Sequence, residues 1–246
     1  MNTKGSEPLE FEQSVIRLQT VLICMLGIIA GTLLAAQILP AWLPQLSTSL
    51  LGAEPKAYWF MSRGSAMVGF ILLWMSMALG LVITNKIARV WPGGPTAFEL
   101  HEYVSLLGMG FVLFHALILM GDHYINYNLA QVLLPFASQN YRPFWVGLGQ
   151  LGLYTWAIVN GSFYMRRQIG TRTWRLIHFV SFVTFALAMV HGLASGADSN
   201  TVWGMSMYWI TGGSLLFLLM YRILVRGGNA KVTRPVAATQ TRKVNQ

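Results

Sequence analysis

Six long apolar runs constrain this chain more than any other feature. They lie at about 18–39, 64–84, 100–120, 144–165, 174–194 and 203–225. Each is long enough to cross the roughly 30 Å hydrocarbon core of a bilayer as a helix. The runs are continuous rather than alternating, which argues against a transmembrane β-barrel. The scarcity of charge agrees: Asp, Glu, Lys and Arg make up 10% of the 246 residues and apolar types 54%. A soluble domain carries about 25% charged residues on its surface, so there is too little charge here to build one. The expected fold is an all-α membrane protein, a bundle of six transmembrane helices. Residues 1–17 read as a cytoplasmic N-terminal segment, 18–226 as the membrane domain and 227–246 as a basic disordered tail. The first run follows an acidic leader (Glu7, Glu10, Glu12) and exceeds a signal-peptide core, so it reads as a retained helix.

The chain holds 17 basic and 8 acidic residues, a net charge of +9. Their placement gives an orientation. Fourteen Lys and Arg fall on the side of the N-terminus, the 85–99 loop, the 166–173 loop and the C-terminal tail, and only Lys56, Arg63 and Arg142 fall on the other. Basic residues concentrate in cytoplasmic loops. Both termini are therefore expected in the cytoplasm, in a multi-pass plasma (inner) membrane protein. The same bias accounts for the basic net charge without a nucleic-acid partner. Cys24, the only cysteine, excludes Cys-ligated iron–sulfur clusters, Cys-rich zinc sites and c-type haem attachment. It reads as a small buried hydrophobe. Thr96 and Glu99, after Pro95, read as a capping box opening the third span, and the outer loop 121–143 as a segment lying in the membrane interface.

Four of the five histidines form two pairs, each within one run. His101 and His115 stand 14 residues apart, and His178 and His191 stand 13 apart. These steps are roughly 21 and 19 Å along a helix at about 1.5 Å per residue. The third and fifth runs point the same way. His101 is then level with His178 near the inner face, and His115 with His191 near the outer face. Ionisable side chains inside a bilayer are costly and mark functional sites. Neutral imidazole is a good iron ligand, and two axial histidines from neighbouring helices can hold one b-type haem. A proton relay lacks mid-membrane carboxylates to continue it, and one metal ion cannot bridge both levels. One feature of the spacing is imperfect: a 13-residue step leaves His178 and His191 about 140° apart around an ideal helix. The fifth span must be locally distorted or cross its neighbours.

Other residues are candidates around these levels. Gly108, midway between His101 and His115, admits either a flat ligand or a neighbouring helix close to the backbone. Arg172 and Arg175 stand near His178 and are placed to pair with an inner haem propionate; Arg63 is placed for an outer one. Their alternative readings are ordinary inner-side charge and snorkelling. His123 reads as a solvated loop residue. Trp203, Tyr208 and Trp209 read as an interfacial belt, with a quinone pocket as the alternative.

Two segments, His101-Glu102-Tyr103 to Phe114-His115-Ala116 and Trp174-Arg175-Leu176-Ile177-His178 to Val190-His191-Gly192, carry a resemblance. The chain resembles the ferric reductase-like transmembrane domain family. That family includes ferric reductases, the membrane part of NADPH oxidases, and the haem-binding membrane subunit of the methionine sulfoxide reductase system. The resemblance covers about residues 60–195. It implies haem b at two levels, with iron bound by His101 and His178 and by His115 and His191. It departs from the larger members in having no flavin and nicotinamide domain after the last span. The expected donor is thus a separate flavoprotein reductase or a quinol, and the acceptor a partner protein or a small molecule. FMN or a quinone is a further cofactor expectation. The resulting reading is transmembrane electron transfer by a di-haem cytochrome b, an oxidoreductase component. Its alternatives are a haem-bearing anchor subunit of a quinone-linked complex, and a non-redox membrane protein with structural histidines.

Overall fold

The computed structural model describes residues 14–42, 57–122, 127–139 and 141–232. Regular structure among them is helical, with no strand. The helices are α1 (Leu18–Trp42), α2 (Ala57–Thr84), α3 (Gly94–Ile118), the short α4 (Leu129–Leu133), α5 (Pro143–Ile169), α6 (Thr171–Phe179), α7 (Ser181–Ser195) and α8 (Val202–Val232). Five segments are long and apolar enough to cross a membrane: α1, α2, α3 with the turn after it, α6 with α7, and α8. This is the pattern of a multi-pass membrane protein. The remaining expected span, α5, is a helix of 27 residues. Gly147, Gly149, Gln150, Gly152, Asn160, Gly161, Arg166 and Arg167 dilute its apolar character.

Helices begin or end outside the apolar runs because a helix does not stop where hydropathy falls. In α2 the helix starts at Ala57, seven residues before the expected 64, through Tyr58, Trp59 and the polar Ser62 and Arg63. The expected capping box does not form. The helix α3 starts at Gly94, with Gly93 at φ 108° before it, Pro95 in its first turn and no side-chain cap. Proline in a first turn is pre-set for the helix and lacks an N–H that would go unpaired, so Thr96 already lies inside. At the other end α8 runs to Val232, past the expected tail start at 227. The rest of that tail and His123 lie outside the described residues.

The hairpin α2–α3 is the centre of the bundle. α1 packs on α3, α5 and α7 pack together beside them, and α8 packs on α2. Long-range bonds fix the directions. Tyr58 Oη donates to Ala36 O (3.3 Å) at one end. At the opposite end the amides of Val15 and Ile16 donate to the Glu102 carboxylate (2.9 and 3.2 Å). α1 therefore runs parallel to α3 and antiparallel to α2. Trp74 Nε1 donates to Ser214 Oγ (2.8 Å), and Asn85 Nδ2 to Leu218 O (3.2 Å), tying α8 along α2. The buried centre comprises Phe70, Leu73, Met77, Leu106, Met109, Trp156 and Phe185, among others. Large apolar side chains cover the outside as well: Ile23, Leu26, Ile158, Leu176, Trp209, Ile210 and Phe217 are all exposed. Water would not tolerate such a surface, whereas lipid tails are as apolar as leucine. Cys24 belongs to that outer face. It is exposed on α1, which corrects the expectation of burial; an apolar thiol suits lipid as well as it suits a core.

Of the two alternatives expected for the fifth span, a local distortion is present. The helix is interrupted at Val180, between α6 and α7, whose N–H donates to Ile177 O (2.9 Å) three residues back. A 3₁₀ turn rotates about 120° per residue against about 100° in an α-helix. One tightened residue shifts the phase by about 20°, far less than the mismatch.

Candidate functional site

Each histidine level is assembled from α3 and the α6–α7 segment. At the inner level the rings of His101 (α3) and His178 (α6) have centroids 6.1 Å apart at an interplanar angle of 67°. At the outer level His115 (α3) and His191 (α7) stand 6.3 Å apart at 66°. The pairing expected from depth is the pairing found. Two imidazoles on opposite sides of one metal ion, bound through Nε2 at about 2.0–2.1 Å, hold their centres about 6.4 Å apart, because the nitrogen lies about 1.2 Å from the centre. Both observed separations match that spacing.

The opposite edges of the rings are fastened. Nδ1 of His101 meets Ser76 O (2.8 Å), Nδ1 of His115 meets Ser62 O (2.9 Å), and Nδ1 of His191 meets Trp145 O (2.9 Å). A carbonyl oxygen only accepts, so in each case the proton sits on Nδ1. In a neutral ring this leaves the Nε2 lone pair free. It is the arrangement that metal-ligating histidines use, with the second nitrogen bonded to a carbonyl or carboxylate. His178 instead packs against Trp174, ring centroids 5.3 Å apart.

A cavity surrounds each level. The inner one, about 660 Å³, is lined by His101, His178, Glu102, Tyr164, Trp174 and Arg175, among others. The outer one, about 220 Å³, is lined by His115, His191, Arg63, Tyr141, Asp198 and Tyr208, among others. The inner volume falls within the roughly 300–1,000 Å³ typical of cofactor pockets, and the outer falls below it. Trp156 lines both and stands between the levels. Each cavity also contains one buried polar atom with no hydrogen-bond partner: Trp174 Nε1 in the inner and Ser195 Oγ in the outer. Such groups cost free energy unless something else satisfies them.

The remaining candidates divide. Arg175 lines the inner cavity, while Arg172 is exposed and does not. Arg63 lines the outer cavity, and its guanidinium is paired with Asp198, with Nε donating to Oδ2 at 3.1 Å. Gly108 serves helix packing: a Cβ there would lie 2.8 Å from Trp156 Cη2 and 3.0 Å from Leu72 Cβ. The glycines that face histidines are Gly80, 3.4 Å from His101 Cε1, and Gly149, 2.7 Å from His191 Nδ1, measured from the Cβ each lacks. Sequence reasoning missed these two, together with Ser62, Ser76, Glu102 and Asp198. Asp198 had a signal, being an acid on the same side as Arg63. The carbonyl partners had none, because every residue has a carbonyl.

Two further polar features frame the site. The buried Glu102 carboxylate accepts from Val15 N, Ile16 N and, at 3.3 Å, Tyr164 Oη. At the outer end the Tyr127 hydroxyl accepts from Ser138 Oγ (2.9 Å), and burial pushes its pKa above the ordinary tyrosine value, keeping it protonated.

Known proteins add no constraint. No family model, no curated protein and no solved structure matches this chain. Among the described residues no three His, Cys, Asp or Glu side chains gather around one point. Each level therefore brings two imidazoles together, one from α3 and one from the α6–α7 segment.

Proposed function

We propose that this chain is a six-span plasma-membrane cytochrome that moves electrons across the bilayer through two b-type haems, similar in this to the membrane domain of ferric reductases. The carrying observation is the pair of imidazole separations, 6.1 and 6.3 Å, at two levels of one bundle. His101 and His178 hold the inner haem; His115 and His191 hold the outer.

The residues present fit such a group by ligand type at both levels and by volume at the inner one, about 660 Å³, while the outer cavity, about 220 Å³, must widen to take it. An anchored Nδ1 leaves Nε2 as the free ring nitrogen of His101 at the inner level and of His115 and His191 at the outer. Gly80 and Gly149 leave room beside the rings. Trp174 Nε1 and Ser195 Oγ are unpaired donors placed for acceptor atoms such as propionate oxygens, and Arg175 adds a charge at the inner cavity. When bound, haem supplies reversible one-electron chemistry. The chain contributes the ligands, their tautomer, and walls built mostly of Leu73, Val112, Leu153, Trp156 and Phe182 that keep water out. Low polarity and hydrogen bonds to the ligands are the protein's means of setting potential. The 14-to-3 distribution of basic residues supports cytoplasmic termini. Electrons then enter from a separate flavoprotein or quinol on the inner side and leave to an acceptor outside.

Haem content and a reduced-minus-oxidised spectrum of the purified, detergent-solubilised protein test this reading. The expected result is about two b-type haems per chain. His101→Ala and His178→Ala should each remove one and the same component, and His115→Ala and His191→Ala the other. A protein free of haem after expression with ample haem supply overturns the reading and returns the histidines to structural roles.

A further inference from the structure

Ser62 and Ser76 stand 14 residues apart on α2, the spacing of His101 and His115 on α3. The two helices are antiparallel, so one serine meets each histidine, and the contacts repeat. The serine carbonyl accepts the Nδ1 proton at 2.8 Å for Ser76 with His101 and 2.9 Å for Ser62 with His115. The hydroxyl oxygen of the same serine lies 3.3 and 2.7 Å from that nitrogen. The hydroxyl protons point elsewhere. Ser62 Oγ donates to His115 O at 3.0 Å. Ser105 Oγ donates to His101 O at 2.7 Å, so Ser76, whose Oγ lies 2.5 Å from Ser105 Oγ, gives its proton to Ser105. Both serine oxygens are thereby left as acceptors toward Nδ1. The two serines are buried, at 2% and 6% exposure, so water does not compete.

We propose that Ser62 and Ser76 are positioning residues, one for each haem, whose hydroxyls fix the imidazole plane and raise the electron donation of His115 and His101. This rests on the haem reading above. A stronger acceptor on Nδ1–H makes Nε2 a better donor to iron. A better donor favours the ferric state, so each hydroxyl lowers the reduction potential of its own haem. The shorter contact at Ser62 makes the outer effect the larger.

Optical redox titration of the purified protein tests the assignment. Ser62→Ala should raise the potential of the outer haem and leave the inner one in place. The expected change is several-fold in the reduction equilibrium and at most about tenfold, which is about 59 mV for one electron. Ser76→Ala should raise the inner potential by less. Ser62→Thr, which keeps a hydroxyl, should restore the wild-type value. Ser162→Ala should move neither haem, because Ser162 Oγ bonds only Val159 O at 2.7 Å. An unshifted outer haem in Ser62→Ala, or equal shifts in both haems, overturns the proposal while the di-haem reading stands. If Ser62→Ala loses the outer haem altogether, Ser76→Ala decides by the same criterion. A wild-type protein without haem overturns both readings before the serine variants are compared.

Discussion

A methyl group added at Gly149 would sit 2.7 Å from Nδ1 of His191, and one added at Gly80 would sit 3.4 Å from Cε1 of His101. The first distance demands that the ring move; the second needs a shift of at most a few tenths of an ångström. His191 is also tethered to Trp145 O, so moving it breaks that hydrogen bond, a net loss of about 0.5–1.5 kcal/mol. If the two levels hold haem as proposed, Gly149→Ala should lose most of the outer haem while keeping the inner, and Gly80→Ala should retain both. The check is haem per chain together with the difference spectrum of each variant. Retention of both haems in Gly149→Ala would show that the ring has room to retreat. These glycines also mark the limit of what residue types reveal. The histidines were legible because imidazole inside a membrane has few roles and because depth follows from spacing alone. Gly149, Gly80, Ser62 and Ser76 matter through which atom they face across a helix pair. That depends on register, which the sequence of either helix does not carry by itself.

The start of α1 is held by a carboxylate from α3. Glu102 accepts from Val15 N and Ile16 N, amides just before the first turn of α1, near the helix end where negative charge is favourable. Glu102→Gln keeps the shape but leaves a single acceptor oxygen and turns an NH₂ group toward N–H donors. The expected cost is about 1–3 kcal/mol, read as a lower unfolding temperature in detergent and as faster proteolysis near residues 14–17 with the rest of the bundle intact. An unchanged cleavage rate would mean that packing of α1 on α3 suffices to hold it. Element existence was legible from apolar runs, while a break in the fifth span was legible only as one of two alternatives, because the 140° misfit of two histidines equally allowed the span to cross its neighbours. Its position at Val180 was not, since Phe179, Val180 and Ser181 carry no Gly or Pro signal. Helix ends were the least legible, because Tyr58, Trp59 and Arg63 read as polar or interfacial residue types yet continue the helix, Tyr58 buried and Arg63 paired with Asp198. The Asx cap of α4, Asn128 with Gln131, and its fastening by Gln150 Nε2 to Gln131 O and Val132 O (2.7 and 2.8 Å) were equally silent in an apolar scan.

At the scale of the whole molecule, the position of α5 decides the topology. Its outer half bonds the 127–139 segment through Gln150, and its far end reaches Glu102 through Tyr164. It thus runs the full length from the outer histidine level past the inner one, alongside α7. Its weaker hydropathy has a physical reason: Gly152 packs against α7, near Leu187 and Ala188. Small residues that let helices approach lower the mean hydropathy of a helix, so a low value does not by itself exclude α5 as a span. Arg166 and Arg167 lie in its last turn, where cations meet the negative end of the helix dipole and the basic side of the membrane. A six-span protein then puts the 127–139 segment outside and the 166–175 segment inside. Single cysteines placed at Gln131 and Arg172, in a background with Cys24 replaced by serine, test this with a membrane-impermeant thiol reagent on intact cells. Gln131→Cys should react in intact cells, and Arg172→Cys only after the membrane is opened. Reaction of both from outside would mean that α5 does not cross, and would place the α6–α7 segment and its two histidines in the opposite direction to α3. The level-by-level pairing of His101 with His178 and His115 with His191 requires the two segments to be parallel, so the labelling pattern and the haem pairing must succeed or fail together.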